Sequence, residues 1–458
     1  MKFTVGEVAA ATGGRLVAGR PEASAGAIGT DSRTLAAGQT FLALHGDRCD
    51  GHDFLDAAAE RGAACLVVDR PDRVPAAGTL GATAVVLVAD TLKALADLGR
   101  AARARLTCPV VAVTGSCGKT TVKEMLGQIL ATRMSGRTPP ASFNNQIGVP
   151  LTLLAAEPSD DYVLCEFGTN APGEIAALAA IGRPTIGIIT VVGPVHLEGL
   201  VCIEGVAREK AALVESLDGR GVAVLNADDP RVAAMAGKCR GRVVTVGLTE
   251  GADLRIDDLV QTERAVCFSC GDVGFELPVL GRHQAVLAIE AAAAARELGV
   301  SLEVSAEALR EFRPPPMRLA VTEAGGVLVV NDSFNANPTS MEAALEQLAL
   351  WPDRRKVFFC GDMRELGPAS RAAHEALGRS AVAAGVKRLV CVGTESRATL
   401  AAAVAAGLKA EAATSLADST EAAAMAPGLV EPGDVVLIKG SHSIHMERVA
   451  EAILAKAK

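Results

Sequence analysis

With 458 residues, the chain is longer than one ordinary hydrophobic core serves, and roughly two to four domains are expected. Half of it is hydrophobic but only 3% is aromatic, with abundant alanine, a balance that suits a helix-rich α/β protein and argues against a β-sandwich. A net charge of -8 argues against general nucleic-acid binding, so an anionic substrate must be met by locally concentrated basic groups.

The opening stretch, MKFTVGEVAAATGG, lacks the continuous apolar core of a secretion signal, and no apolar run reaches the ~18 residues of a membrane span. A cytoplasmic protein without stable membrane insertion is expected. Eleven cysteines, scattered through apolar contexts such as AACLVV and VFFCGD, read as small buried hydrophobes in a reducing compartment. Residues 1–107 alternate short strands and helices and carry no phosphate loop.

The stretch VVAVTGSCGKTTVKEML, Val110 to Leu126, changes that. A β-branched run, Pro109 to Val113, suits a buried strand, and Val122, Met125, Leu126, Ile129 and Leu130 recur at helical spacing. Between them Gly115, Ser116, Cys117 and Gly118 form a loop on a helix N-terminus, where backbone N–H groups and the helix dipole favour phosphate. Lys119 adds a point charge, and Thr120 or Thr121 can offer a hydroxyl to Mg²⁺. ATP or GTP is the expected ligand. The loop is shortened: a standard phosphate loop would place its first glycine where Val113 stands.

Strands are predicted at Tyr162–Cys165, Ile186–Val191 and Val222–Leu225, and the section 108–313 closes before Pro314 to Pro316, which break any helix. Beyond them VLVVND, KVFFCGD, RLVCVG and VVLIKG alternate with helical stretches over 314–458. This alternation predicts parallel sheets with helices on both faces and ligands at the carboxyl ends of the strands. Cys267 and Cys270 form a lone C-x-x-C without a second pair or nearby histidine, a weak metal signal.

Polar residues follow two of these strands. Glu166 can reach Mg²⁺ directly or through water, or serve as an exposed strand-end acid, and His196 follows VVGPV in the same way. Lys210 is anomalous. In CIEGVAREKAALVESL the apolar stripe of Ile203, Val206, Ala207, Leu213, Val214 and Leu217 places it on the face expected to be buried. It either snorkels to water past its own stem or lies partly buried with its neutral amine favoured.

Taken in order, these stretches resemble the Mur ligases, the ATP-dependent amino-acid ligases of peptidoglycan precursor synthesis, which use the shortened G-x-x-G-K-T loop. The segments SFNNQIGVPLTLL, EFGTNAPGEI, VHLEG, REK, LNADD and GRH occur in family order. NDSFNANPTSM, GDMRELG and LIKGSHSIHME resemble the signatures of the branch that adds a dipeptide. The resemblance implies three domains: a UDP-sugar-binding domain over 1–107, a central ATP-binding domain with a phosphate-loop parallel sheet over 108–313, and a Rossmann-like ligase domain over 314–458. The implied reaction joins D-alanyl-D-alanine to UDP-N-acetylmuramoyl-tripeptide through an acyl phosphate, releasing ADP and phosphate.

The resemblance also implies residue roles. Lys119 holds the β- and γ-phosphates, Thr120 and Glu166 hold Mg²⁺, and His196 belongs to the surroundings of a second metal. Lys210 aligns with a family lysine that becomes carbamylated, converting a cation into an anionic oxygen ligand. Arg318 and Asp332 approach the phosphates and ribose from the third domain, and His283 belongs to the nucleotide site. Asn144, Asn145 and Asn335 lie near the substrate or transferred phosphate. Ser32, Arg33, Gly46 and Asp50, within TDSRTLAAGQTFLALHGDRCDGHDF, hold the UDP sugar. The chain departs from the family pattern at Phe334 (commonly tyrosine), Asn331 (aspartate), His442 (arginine), and at Gln284 and Leu287 (both asparagine). Leu287 cannot hydrogen-bond adenine through its side chain. Two other readings remain at this point: a folylpolyglutamate synthase-like ligase, which lacks the DSR domain and NANP signature, and a nucleotide-operated binding protein, although no N-K-x-D guanine signature occurs.

Overall fold

The computed structural model describes residues 1–46, 49–140 and 142–456. Asp47 and Arg48, inside the segment matched to sugar-nucleotide binding, lie outside the described residues. Three large sheets follow one another along the chain, as expected for an α/β protein of three domains.

The middle sheet positions the site. Its seven strands are parallel, and Val110–Thr114 lies between Tyr162–Glu166 and Ile186–Ile189, with Val163 opposite Val110 and Ile186 opposite Val111. The β-branched strand is buried throughout because helices cover both faces, which is why it reads as a continuous apolar run. The chain goes to one side of this strand with Tyr162–Glu166 and to the other with Ile186–Ile189 and Val222–Asn226. That reversal opens a crevice at the carboxyl ends of the strands. Lys119–Ala131 and the alanine-rich helix His283–Glu297 pack together over one face.

The first domain carries a five-stranded sheet and the helix Thr91–Ala104. One apolar cluster, around Phe41, Leu55 and Leu66, is its own, and a second is shared with the middle domain. Leu95, Leu98 and Ala102 of that helix share one apolar cluster with Val110, Val149, Leu153 and Phe167 of the middle domain. Gly99 permits the approach, since a Cβ there would lie 2.9 Å from the Pro150 side chain. The amino terminus reinforces the join by donating to the Leu154 carbonyl at 2.9 Å.

The third domain has a six-stranded sheet in which Ala320–Ala324 and Val327–Asn331 form an antiparallel hairpin and the other neighbours are parallel. The expectation of uniformly parallel sheets is therefore corrected at its edge, and again in the first domain, where Arg15–Ala18 runs antiparallel to Ala84–Leu87. A three-stranded antiparallel sheet, Asp257–Gln261, Val266–Cys270 and Val273–Leu277, was not foreseen. Cys267 and Cys270 sit three apart on one of its strands, so their side chains leave opposite faces and cannot share a metal. Pro314 to Pro316 lie in irregular chain between the helix Leu302–Leu309 and the strand Ala320–Ala324, as a linker should.

The run Ala291 to Ala295 is fully buried against neighbouring helices and strands. Ala291→Leu should therefore overpack this contact and lower stability by about 1–3 kcal/mol in denaturant unfolding. Unchanged stability would mean that the helix has room to move.

Candidate active site

The phosphate loop is shaped by two glycines. Gly115 has φ +154°, and a Cβ there would fall 1.8 Å from the Thr190 hydroxyl; Gly118, at φ +84°, opens the helix Lys119–Ala131. The neighbouring strand exit braces the loop: Thr190 donates its hydroxyl hydrogen to the Cys117 carbonyl, and Ser116 Oγ accepts from Gly193 N at 2.9 Å. Lys119 folds over its own loop, donating to the Gly115 carbonyl at 2.8 Å. Burial holds the Lys119 ammonium below its usual pKa, while the nearby Glu166 charge opposes that shift.

Glu166 is the last residue of its strand and is buried, not the exposed strand-end acid of the alternative reading. Thr120 Oγ1 donates to its Oε2 at 2.9 Å, and Asn144 Nδ2 donates to its Oε1 at 3.0 Å. The choice between the two threonines is thereby narrowed: Thr120 meets the carboxylate, and Thr121 lies beside it in the cavity wall. Asn145 turns its Oδ1 to the amides of Ile147 and Gly148 at 3.1 and 3.0 Å.

The third domain closes over this group. Arg318 donates to Thr120 Oγ1 at 3.0 Å, and its guanidinium carbon lies 4.0 Å from the Phe334 ring centre. Burial lowers the Arg318 pKa, with Glu166 and Asp332 opposing it. Met317 and Leu319 flank Arg318 at φ +61° and +51°, left-handed conformations that ordinary side chains avoid. Asp332 Oδ1 accepts from Leu319 N at 3.1 Å, while Lys439 pairs with its other oxygen and donates to the Asn335 carbonyl at 2.9 Å. His196, at φ +52°, binds Glu365 through Nδ1, and Glu365 itself has φ +63°. That hydrogen bond holds the Glu365 carboxyl below its ordinary pKa.

These elements surround a cavity of about 1020 Å³ lined from all three sections of the chain. Ser116, Cys117, Gly118, Lys119, Thr120 and Thr121 line it, as do Asn144, Asn145, Glu166, His196, His283, Arg318, Asp332 and Asn335. His283 is exposed at the cavity wall, and desolvation by the protein packed around it shifts its imidazole toward the neutral form. Gly115 supports the loop from behind. Ser32, Arg33, Gly46 and Asp50 are not in the wall; the exposed Arg33 pairs with Asp31 at 2.8 Å, and Asp50 pairs with His52 at 2.7 Å. The first domain instead contributes Asp90, Lys93 and Arg100 to the wall. Lys210 is also outside the wall and only 1% exposed, so snorkelling is overturned and burial is nearly complete where it was expected to be partial. Burial first, and the Lys119 charge second, drive its pKa well below that of a free lysine.

Residues 25–103, 113–295 and 317–442 match, in order, the Mur ligase family catalytic domain, the Mur ligase middle domain and the Mur ligase glutamate ligase domain. The UDP-N-acetylmuramoyl-tripeptide--D-alanyl-D-alanine ligase of Mycobacterium tuberculosis is 37% identical over 99% of this chain and 98% of its own length. The chain belongs to the Mur ligase family. A crystal structure of MurF from Acinetobacter baumannii resembles this Mur ligase with a TM-score of 0.89 at 30% identity, covering 99% of both chains. MurF from Thermotoga maritima in complex with ADP gives a TM-score of 0.81 at 27% identity, over 94% of this chain and 97% of its own.

Glu365 in GDMRELG and Lys439 in LIKGSHSIHME carry no chemical signal in the sequence that marks them as functional. Their partners, His196 and Asp332, were named separately, and only the fold joins them. Leu287 also has a structural job in this Mur ligase: its Cδ2 would be 2.6 Å from a Cβ at Gly118. Neighbouring Gln284 leaves its buried Oε1 without a partner among the described residues.

Gly118→Ala should weaken ADP binding at least tenfold, because the added methyl meets Leu287 and the backbone is left-handed. Adding Leu287→Ala should restore part of that affinity by removing the contact while leaving the backbone strain. Calorimetric titration of both variants checks this, and equal affinities for wild type and Gly118→Ala would contradict it.

Proposed function

We propose that this Mur ligase joins D-alanyl-D-alanine to UDP-N-acetylmuramoyl-tripeptide with cleavage of ATP to ADP and phosphate, as its relatives are named for doing. The observation that carries the reading is the meeting of Arg318 with Thr120 and Glu166 beside the phosphate loop, at a cavity lined from all three sections of the chain. We place the domain limits near residues 107 and 313, between the matched family segments.

The tripeptide carboxylate attacks the γ-phosphorus of ATP, ADP leaves, and an acyl phosphate forms. The dipeptide amine then attacks the acyl carbon, loses its proton, and phosphate departs as the peptide bond forms. Such transfers depend chiefly on positioning and charge neutralisation. Loop amides and Lys119 hold the phosphates, Arg318 supplies a second positive charge from the third domain, and Asn144 keeps Glu166 oriented. Closure of the third domain over the loop excludes water that would hydrolyse the acyl phosphate.

Glu166 and Thr120 fit Mg²⁺: they are adjacent hard oxygen donors, and the hydrogen bonds Glu166 accepts come from neutral Thr120 and Asn144. Bound there, Mg²⁺ would neutralise phosphate charge. His196 is held by Glu365 through Nδ1, which leaves Nε2 for a second ion's surroundings. Lys210 fits carbamylation because burial favours its neutral, nucleophilic amine. Ser32, Arg33, Gly46 and Asp50 are assigned to the UDP moiety and His283 to the nucleotide.

Purified chain with ATP, Mg²⁺, D-alanyl-D-alanine and UDP-muramoyl-tripeptides bearing diaminopimelate or lysine should give pentapeptide and ADP by mass spectrometry only when both substrates are present. ADP formation without dipeptide-dependent product would overturn the assignment. Lys210→Ala should lose about 100-fold or more in rate, and acetate should restore part of it by standing in for the carbamate. Full activity of Lys210→Arg in CO₂-depleted buffer would remove the carbamate from the account.

A further inference from the structure

Away from the cavity, the first domain contains a compact polar cluster. Asp50 caps the short 3₁₀ turn Gly51–Phe54, which fixes His52, and pairs with His45 in an isolated antiparallel bridge. Asp69 follows the strand Cys65–Val68. The rings of His45 and His52 stack with centres 4.9 Å apart and planes inclined by 23°.

Two carboxylates address opposite edges of this stacked pair. Asp50 lies 2.7 Å from His52 Nδ1 and 3.3 Å from His45 Nδ1, and Arg70 balances its charge at 3.0 Å. Asp69 Oδ1 lies 2.9 Å from His45 Nε2 and 3.2 Å from His52 Nε2. Its other oxygen is held by the Thr91 amide at 3.1 Å and the Thr91 hydroxyl at 3.3 Å. The Asp69 amide donates to the single lone pair of His52 Nε2 from 3.3 Å, which puts the His52 proton on Nδ1, toward Asp50; a metal ion would take that lone pair in place of this long hydrogen bond. His45 Nε2 hydrogen-bonds Asp69, so its proton lies on that side; with the proton moved to Nδ1, 3.3 Å from Asp50, both Nε2 lone pairs and Asp69 Oδ1 would converge. The three ligand atoms lie within 4.8 Å of one another.

We propose that His45, His52 and Asp69 bind one divalent transition-metal ion, with Zn²⁺ the ion this donor set fits. Two imidazoles and one carboxylate are a three-ligand zinc arrangement that leaves a fourth position for water, and His45 sits at the surface where water can enter. Asp50 is a positioning residue: it accepts Nδ1–H from His52 and lies 3.3 Å from His45 Nδ1, the carboxylate–histidine–metal arrangement that fixes tautomer and orientation. Nitrogen donors disfavour Mg²⁺ and Ca²⁺. The ion would fasten the segment carrying Gly46 and Asp50 to the end of the sheet. The three ligands are outside the residues assigned to the ligase reaction, whereas Asp50 is shared with the proposed UDP site, so binding is read by titration and melting and not by turnover.

The test uses the full chain freed of metal by chelator. Calorimetric titration with Zn²⁺ in the presence of excess Mg²⁺ should show one site per chain and a zinc-dependent rise in melting temperature. His45→Gln should weaken that site at least tenfold while melting normally without metal. His45→Cys, which restores a zinc ligand, should recover it. Asp50→Asn should weaken zinc about 10–100-fold without removing a ligand. Zinc binding equal in wild type and His45→Gln, or no one-to-one binding in wild type, would overturn the proposal.

Discussion

The hydroxyl of Thr120 joins the end of a central strand to the start of the third domain. It gives its hydrogen to Glu166, at the end of a central strand, and accepts one from Arg318, which begins the third domain. A hydroxyl can do both at once, whereas direct contact between Arg318 and Glu166 would consume the carboxylate. The arrangement leaves a buried acid, a half-buried cation and a phosphate loop facing one cavity. In the proposed reaction, these groups surround the transferring phosphoryl group.

Backbone strain gathers around this junction. Met317 and Leu319 on either side of Arg318, and the paired residues His196 and Glu365, all take left-handed conformations. Each costs of order 1–3 kcal/mol and persists only where the surrounding fold demands it. The firm joint between the first and middle domains supplies a rigid base, since they share one apolar cluster, while most of the third domain packs into two clusters of its own. The strained segments are thus where the third domain meets the base.

How much of this was legible in the sequence depends on distance along the chain. The strand, glycine turn and helix from Val110 to Ala131 were readable because each signal is local: β-branched residues, then Gly-Lys-Thr-Thr, then apolar residues at helical spacing. Lys210 stood out because it interrupted an apolar stripe, though its degree of burial depended on packing that no stripe reveals. Glu365 was opaque, since its partner His196 lies 169 residues away. The antiparallel sheet around VCFSC was missed because short, half-buried strands with small polar residues give weak alternation. The shared core of the first two domains was hidden for another reason: Thr91–Ala104 looks like an ordinary amphipathic helix until Gly99 is seen against Pro150.

In the proposed reaction the third domain completes the phosphate site through Arg318. Rapid-quench measurement of a single turnover, with labelled ATP and UDP-muramoyl-tripeptide but no dipeptide, isolates the phosphoryl transfer. Arg318→Ala should slow ADP formation about 10³-fold or more while changing ADP affinity less than tenfold. A variant that forms ADP at the wild-type rate would show that the contact between Arg318 and Thr120 holds the domains together without serving the reaction.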